Sequence, residues 1–333
     1  MENLKKKGIS AFIWDFTGKL ASQGSGFIIT ILLARLLEPA DFGLIALVMV
    51  FIGMAQVFSN MGLGSALIQR KDATQIDFSS VFYFNVAIAV LLCLTLFFSA
   101  PFIAMYYQNS ELTPLLEVAS LLFIINSLSS VQFVLLRKKL NYSLSTKITF
   151  LASLISGVVG VALAFFGAGV WSLLAQILLA GVISNILLWI YSEWKPSISF
   201  SWSALKQLWG FGFRMFLSSL LENIFTRLDF LIIGKLFPLD ILGYFQRAKQ
   251  FNLLIIKNTS GSLMSVLFPL LSQVQDDLPR FRNIVLTAFN ILCFVVFMLL
   301  GGLYLLSEEI IVFLFSDKWL PSVEYMELLL LGA

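Results

Sequence analysis

Histidine is absent from this sequence, cysteine is rare, and charged side chains make up only 12% of the residues. Without histidine, the chain cannot build a histidine metal site, a histidine-dependent catalytic centre or a histidine proton relay. The two cysteines, Cys93 and Cys293, lie inside apolar runs, which argues against a disulfide framework or a cysteine-rich metal site. A typical soluble domain carries about 25% charged residues. The shortage of charge therefore excludes a soluble enzyme, a nucleic-acid-binding protein and a disordered protein.

Hydrophobic residues fill the chain instead, since they make up 59% of its 333 residues and the mean hydropathy is +0.92. Continuous apolar runs, each long enough to cross a hydrocarbon core of about 30 Å, cover residues 17–37, 43–69, 80–106, 115–137, 146–168, 170–191, 210–236, 241–270 and 281–306. A tenth run begins near Val323 and reaches the last residue. We predict an all-α, polytopic helical membrane protein with about nine complete transmembrane helices and a partial tenth. We also expect the chain to be truncated at its C-terminus.

Basic residues alternate from one loop to the next. Lys5, Lys6 and Lys7 precede the first run, and further Lys and Arg residues follow the second, fourth, sixth and eighth runs. The intervening loops at 107–114 and 167–170 contain no Lys or Arg. Because cytoplasmic loops carry an excess of these residues, the pattern predicts a multi-pass protein of the bacterial cytoplasmic membrane with its N-terminus in the cytoplasm.

A turn motif occurs twice, two hundred residues apart. A small residue, a cation and Leu are followed by Pro, Asp and Gly, first at Ala34, Arg35, Leu36, Pro39, Asp41 and Gly43, and again at Gly234, Lys235, Leu236, Pro238, Asp240 and Gly243. Six runs separate the copies, so the repeats are expected to be parallel and related by an axis along the membrane normal. We predict an N-terminal six-helix lobe at 1–195, an interfacial linker at 196–209, and a partial C-terminal lobe at 210–333 that corresponds to helices 1–3 and the start of 4. The alternative is a common structural turn with no role in transport.

Charged residues enter the membrane interior in the seventh and eighth runs. In the seventh run, polar residues recur at helical spacing on one face, namely Arg214, Ser218, Glu222, Thr226 and Asp229. The eighth run carries Gln246, Arg247, Lys249, Gln250 and Lys257. A charge in the hydrocarbon region costs several kcal/mol unless it faces protein or water. We therefore predict a water-filled cavity between the two lobes, lined by these two helices.

The cations of this hairpin outnumber its acids. Counted from the turn between the two runs, Asp229 and Arg247 lie at similar depth and could pair, while Arg227 and Lys249 lie nearly level with them. A cationic cavity suits an anionic substrate, because the arginine fork matches phosphate oxygens. The alternative is internal ion pairing that only locks the two helices together.

Several stretches resemble bacterial polysaccharide flippases. Residues 35–43 resemble their turn R-x-L-x-P-x-D-[FY]-G, residues 64–72 resemble the close of their second span, and residues 227–235 with 242–248 resemble their seventh and eighth spans. The family is that of the Wzx-type lipopolysaccharide and colanic or teichuronic acid exporters of the MOP superfamily. Its members have twelve or more helices, so this chain departs from the family by ending early.

The resemblance implies a transporter that moves an undecaprenyl-pyrophosphate-linked oligosaccharide across the cytoplasmic membrane by alternating access, and it implies neither an enzyme nor a cofactor. Membrane lipids and a polysaccharide polymerase or co-polymerase are the implied partners, and nucleic acid is not. The residues expected to bind the pyrophosphate or acidic sugars are Arg214, Arg227, Arg247, Lys249 and Lys257. Glu222 and Asp229 are expected to balance these charges or to carry a coupling ion, and Glu222 is the preferred proton carrier because desolvation raises the pKa of a carboxylate.

Three other functions remain open at this point. An ion-coupled multidrug antiporter of the same superfamily would need acids in excess to attract organic cations. A membrane-embedded glycosyl- or acyltransferase would need an acidic or histidine cluster in an extended loop, whereas the loops of this sequence are short. A scaffold without transport would gain nothing from charges placed inside the membrane.

Overall fold

The computed structural model describes residues 24–253 and 278–332, and within these ranges it contains helices and turns but no strand. In chain order the helices are α1 (Gly24–Leu36), α2 (Pro39–Asn60), α3 (Leu63–Gln69), α4 (Gln75–Tyr107), α5 (Leu112–Ala119), α6 (Leu121–Lys138), α7 (Tyr142–Phe165), α8 (Val170–Tyr191), α9 (Trp202–Leu236), α10 (239–253), α11 (Leu278–Leu305), α12 (Ser307–Phe315) and α13 (Ser322–Leu331). A short 3-10 turn at Asp317–Trp319 joins α12 to α13.

Six segments within these described ranges are long and apolar enough to cross a membrane: α2, α4, α5 together with α6, α7, α8 and α11. They coincide with six of the apolar runs of the sequence. Helix α9 is also long, with 35 residues, but it carries more charge than the other six. The prediction of an all-α, polytopic helical membrane protein is therefore confirmed. The division into lobes at 195 and 210 stays a prediction, and the first turns of α9 lie in the expected linker.

The run at 43–69 contains one membrane-spanning helix, α2, which ends within the run and is followed by the short α3. Between the two helices, Met61 and Gly62 adopt left-handed backbone with φ of 38° and 65°. Glycine takes this conformation without steric cost. A Cβ atom on Gly62 would also lie 2.1 Å from the carbonyl oxygen of Gly212 in α9. Hydropathy alone does not register such a break, because the residues around it stay apolar.

Helix α2 lies at the centre of the bundle and packs against α4, α5, α6, α8 and α9. Its buried side chains include Phe42, Leu47 and Val48, which join one core cluster with Leu116 of α5 and Phe123 of α6. The same cluster reaches residues of α10, α12 and α13. The packing therefore joins the N-terminal and C-terminal parts of the chain.

The repeated turns meet each other in space. A Cβ atom on Gly43 would lie 2.0 Å from the carbonyl oxygen of Leu239, and one on Gly243 would lie 2.0 Å from the carbonyl oxygen of Pro39. Glycine at both positions lets the two helix backbones touch, as in close helix pairs in membranes. The contact is reciprocal, which is the pattern that a two-fold relation between two similar units produces.

Candidate functional site

A polar cavity of about 730 Å³ lies between α2, α3, α4, α6, α7 and α9. Side chains with amide, hydroxyl or guanidinium groups supply much of its wall, namely Gln56, Ser65, Asn85, Asn126, Ser129, Ser130, Arg137, Ser145, Thr149, Ser219, Asn223 and Arg227. No Asp or Glu lies among its lining residues within the described part of the chain. The ionisable groups of the wall are therefore two arginines. We refer to this space as the polar cavity.

Arg227 projects from α9 into the polar cavity and holds α9 against α2. Its Nη1 donates to the carbonyl oxygen of Met49 at 2.9 Å, and its Nε donates to Oδ1 of Asn223 at 3.3 Å. The guanidinium lies over Gly53, where a Cβ atom would be 2.3 Å from Cζ of Arg227. These two bonds fix the plane of the guanidinium and leave Nη2 without a partner among the described residues.

Amide side chains line the cavity wall formed by α2, α4 and α6. Nδ2 of Asn126 donates to Oε1 of Gln56 at 3.1 Å, and Nδ2 of Asn85 donates to Oγ of Ser130 at 3.3 Å. Asn85 is only 3% exposed, and its Oδ1 has no hydrogen-bond partner among the described residues. A buried amide oxygen without a partner is costly. This wall therefore offers both donors and acceptors to a polar ligand.

Basic residues surround one end of the polar cavity, where α3 and α6 finish. Arg137 lines the cavity there, and the neighbouring Lys138 donates from Nζ to the carbonyl oxygens of Leu67 at 2.9 Å and Arg70 at 2.5 Å. Arg70 in turn lies 3.4 Å from a carboxylate oxygen of Asp77. A lysine suits the end of α3, because the last carbonyl groups of a helix lack partners and carry partial negative charge.

The structure pairs Asp229 with Lys249, so the Asp229–Arg247 pair that similar depth allows is not formed. Nζ of Lys249 binds Oδ2 of Asp229 and also donates to the carbonyl oxygen of Thr226 at 3.0 Å. Positions 247 and 249 are two residues apart on one helix, so their side chains point in nearly opposite directions. Only one of the two can face α9, and that residue is Lys249.

Arg247 points away from the polar cavity into an aromatic cluster. The side chain is 5% exposed, and Cζ lies 3.9 Å from the ring centre of Phe42, 5.7 Å from that of Trp319 and 5.9 Å from that of Phe315. Its Nη1 donates to Gln250 at 2.8 Å. The faces of these aromatic rings attract the cation and offset part of the free-energy cost of removing the guanidinium from water. In this conformation Arg247 joins α10 to α2 and α12 and does not line the polar cavity.

The remaining predicted site residues lie elsewhere. Arg214 and Glu222 are exposed on α9, and Nε of Arg214 donates to the carbonyl oxygen of Gly210 at 3.2 Å, one turn earlier. Neither lines the polar cavity. Lys257 lies outside the described residues. Of the charged residues expected to form the site, Arg227 alone lines the polar cavity within the described ranges.

The polar cavity uses a face of α9 that sequence reasoning missed. Ser219, Asn223 and Arg227 follow one another at steps of four and all line the cavity, next to the more highly charged face that begins at Arg214. Their spacing was a usable signal, because residues four apart lie on one side of a helix. Ser219 and Asn223 carry no charge, so the pattern of charges along α9 indicates the neighbouring face with Glu222 instead.

One family model matches most of the chain. A model of the family described as "Polysaccharide biosynthesis protein" matches residues 32–324. The chain is 29% identical over 278 residues to the teichuronic acid biosynthesis protein TuaB of Bacillus subtilis (strain 168). The matched region covers 83% of this chain and 57% of the relative. It is 27% identical to the succinoglycan biosynthesis transport protein ExoT of Rhizobium meliloti (strain 1021), over 96% of this chain and 65% of the relative.

A third relative is the lipopolysaccharide biosynthesis protein WzxC of Escherichia coli (strain K12), which is 22% identical over 98% of this chain and 67% of its own length. The chain thus spans 57% to 67% of the length of these three relatives. Among solved structures, the lipid II flippase MurJ in an inward closed conformation matches with a TM-score of 0.75 and 19% identity, over 96% of this chain and 72% of that chain. At this identity the likeness shows the fold.

Proposed function

Because the chain belongs to the polysaccharide biosynthesis protein family, we propose that the whole protein is a flippase that moves an undecaprenyl-pyrophosphate-linked oligosaccharide across the bacterial cytoplasmic membrane. The membership confirms the resemblance that the motifs of the sequence indicated. The names of two relatives, a succinoglycan transport protein and a lipid II flippase, support movement of a lipid-linked saccharide.

The observation that carries the proposal is the guanidinium of Arg227 inside a polar cavity whose described wall contains no carboxylate. A pyrophosphate brings two or more negative charges that need donors in fixed positions. Nη2 of Arg227, which has no partner among the described residues, offers such donors, and the bonds to Met49 and Asn223 fix its position. A drug antiporter that collects organic cations needs acids at this place, and the described wall provides none.

The uncharged part of the polar cavity suits the saccharide. Sugar hydroxyl groups donate and accept hydrogen bonds at once, and the amides of Gln56, Asn85 and Asn126 do the same. We place the pyrophosphate near Arg227 and the sugars along these amides towards Arg137. The prenyl tail stays in the lipid outside the two halves of the protein, which are the predicted lobes at 1–195 and 210–333.

The membrane orientation and the transport cycle are part of the same proposal. The end of the polar cavity near Arg137 also carries Arg70, Lys71, Lys138 and Lys139, and we assign this end to the cytoplasm by the positive-inside rule. The N-terminus then lies in the cytoplasm. The substrate enters from that side, and rocking of the two halves exposes it to the opposite face. A polysaccharide polymerase or co-polymerase then receives the product.

The test is export of surface polysaccharide in cells that lack their own flippase and carry the whole protein. We expect Arg227→Gln to reduce export at least tenfold, while the amount of inserted protein stays the same. Arg227→Lys should recover only part of the activity, because lysine keeps the charge but loses the fork. Arg214→Gln is the matched control, since it removes the same group from the exposed face of the same helix and should leave export unchanged.

Two results would contradict the proposal. Normal export by Arg227→Gln at normal protein level would show that the polar cavity does not bind the anion. Drug resistance conferred by the protein, in the absence of any polysaccharide export, would support the antiporter instead.

A further inference from the structure

The two cations of the repeated turn each reach across to the other half of the chain. Nε of Arg35 donates to the carbonyl oxygen of Leu314 at 2.9 Å, and its Nη2 donates to that of Phe313, in the last turn of α12. Nζ of Lys235 donates to the carbonyl oxygen of Tyr106 in the last turn of α4, and it lies 4.1 Å from the ring centre of that tyrosine. Residues at the same position of the repeat therefore make the same kind of contact in opposite directions.

Further side chains bind carbonyl oxygens at the same end of the bundle. Nζ of Lys318 donates to the carbonyl oxygens of Arg35 at 3.1 Å and Leu37 at 2.5 Å, and it lies 3.7 Å from the carboxylate of Glu38. Nε1 of the buried Trp319 donates to the carbonyl oxygen of Ala34 at 2.8 Å. These contacts cap the end of α1, whose last carbonyl groups would otherwise lack donors.

The end of the polar cavity near Arg137 is called its mouth. The contacts of Arg35, Lys235 and Lys318 lie at the opposite end of the helices. Along α4, Asn85 of the cavity and Tyr106 are separated by about 31 Å at 1.5 Å per residue. Along α9, Ser219 and Lys235 are separated by about 24 Å by the same measure. At this end the two halves are joined by side chains that bind backbone carbonyl groups, whereas at the other end α3 packs against α9 beside the polar cavity.

We propose that Arg35 and Lys235 are positioning residues that hold the two halves together on the side away from the cavity mouth and release during transport. The proposal rests on the transport cycle of the proposed function. Each cation binds backbone carbonyl oxygens at a helix end, where water can replace it as a donor when the halves separate. A charge-assisted hydrogen bond of this kind changes an equilibrium by about tenfold or more.

The test measures the separation of the two halves directly. Spin labels are placed by Ser110→Cys, after α4, and Leu320→Cys, before α13, in the whole protein with its native cysteines, Cys93 and Cys293 among them, replaced by alanine. Both positions are exposed. Distances between the labels are then compared for the parent, Arg35→Gln, Lys235→Gln and the double variant.

We expect one dominant short distance in the parent and a longer distance whose population rises about tenfold in each single variant, and further in the double variant. The charge-conserving variants Arg35→Lys and Lys235→Arg should keep most of the short distance. Lys206→Gln removes a cation from the exposed first part of α9 and should change nothing.

An unchanged distance distribution in the folded double variant would overturn the proposal. A lower unfolding temperature without any longer distance would also overturn it, since the contacts would then only stabilise the fold. The distances need no substrate, so the outcome is separate from that of the proposed function. If the longer distance appears but the parent exports no polysaccharide, the positioning role stands and the flippase assignment fails.

Discussion

Gly43 and Gly243 stand two hundred residues apart in the sequence and touch where α2 crosses α10, so a single added methyl group tests how the two halves fit. In Gly243→Ala, the new Cβ would lie 2.0 Å from the carbonyl oxygen of Pro39, and in Gly43→Ala it would lie 2.0 Å from that of Leu239. Both obstacles are backbone atoms. No change of rotamer can therefore relieve either contact.

The size of the effect follows from this geometry. The two helices must separate by about 1.4 Å before the contact reaches the ordinary 3.4 Å. Overpacking of this kind costs about 1–3 kcal/mol. Alanine also favours a helix over glycine by up to about 1 kcal/mol, which works in the opposite direction. Gly301→Ala in α11 has open space around its Cβ and measures this helix term alone.

The assay is reversible denaturation of the detergent-solubilised protein, with Gly301→Ala as the reference. Relative to it, Gly43→Ala and Gly243→Ala should each lower the free energy of unfolding by about 1–3 kcal/mol. The double variant should lose less than the total of the two, because one separation of the helices makes room for both methyl groups. If Gly243→Ala were as stable as Gly301→Ala, or if the two losses were strictly additive, the described crossing would be refuted.

Three further predictions concern single contacts. A double-mutant cycle between Asp229→Asn and Lys249→Gln should show coupling of about 0.5–1 kcal/mol in the free energy of unfolding, whereas a cycle between Asp229→Asn and Arg247→Gln should show none. Trp319→Phe leaves a buried carbonyl group of α1 without its donor and should lower the free energy of unfolding by about 1–3 kcal/mol, as measured by denaturant titration. Gly53→Ala displaces the guanidinium of Arg227 that rests on it and should reduce polysaccharide export. The free energy of unfolding should change little, because the obstacle is a flexible side chain.

The membrane helices could be predicted from the sequence because their signal is local. A run of about 20 apolar residues has few alternatives to a transmembrane helix, and α4, α7 and α8 follow their runs closely. The break at Met61 and Gly62 escaped this reasoning, since two residues in an unusual backbone conformation do not change the hydropathy of their surroundings. At the break, Gly62 lies against the carbonyl oxygen of Gly212 in α9, which is a tertiary contact that hydropathy does not register.

The functional site could be predicted only in part, because helical spacing shows which residues share a face but not what that face meets. Two polar faces lie side by side on α9. The face with Glu222 carries more charge and is exposed, while the face with Asn223 and Arg227 packs towards α2 and lines the polar cavity. For α10, similar depth suggested that Arg247 pairs with Asp229. In the structure the side chain of Lys249, and not that of Arg247, points towards α9 and binds Asp229.

The repeated turns make reciprocal contacts, but the charges of the proposed site are not repeated. Gly43 matches Gly243 and Arg35 matches Lys235, and each pair makes reciprocal contacts between the halves. The residue two hundred positions before Arg227 is Phe27, and the one before Lys249 is Met49. The carbonyl oxygen of Met49 accepts the hydrogen bond of Arg227, so the cation of one half is held by the backbone of the other. In the proposed transport cycle, a movement that separated α9 from α2 at this level would break this bond, and the proposed binding group would then respond to the movement that carries its substrate.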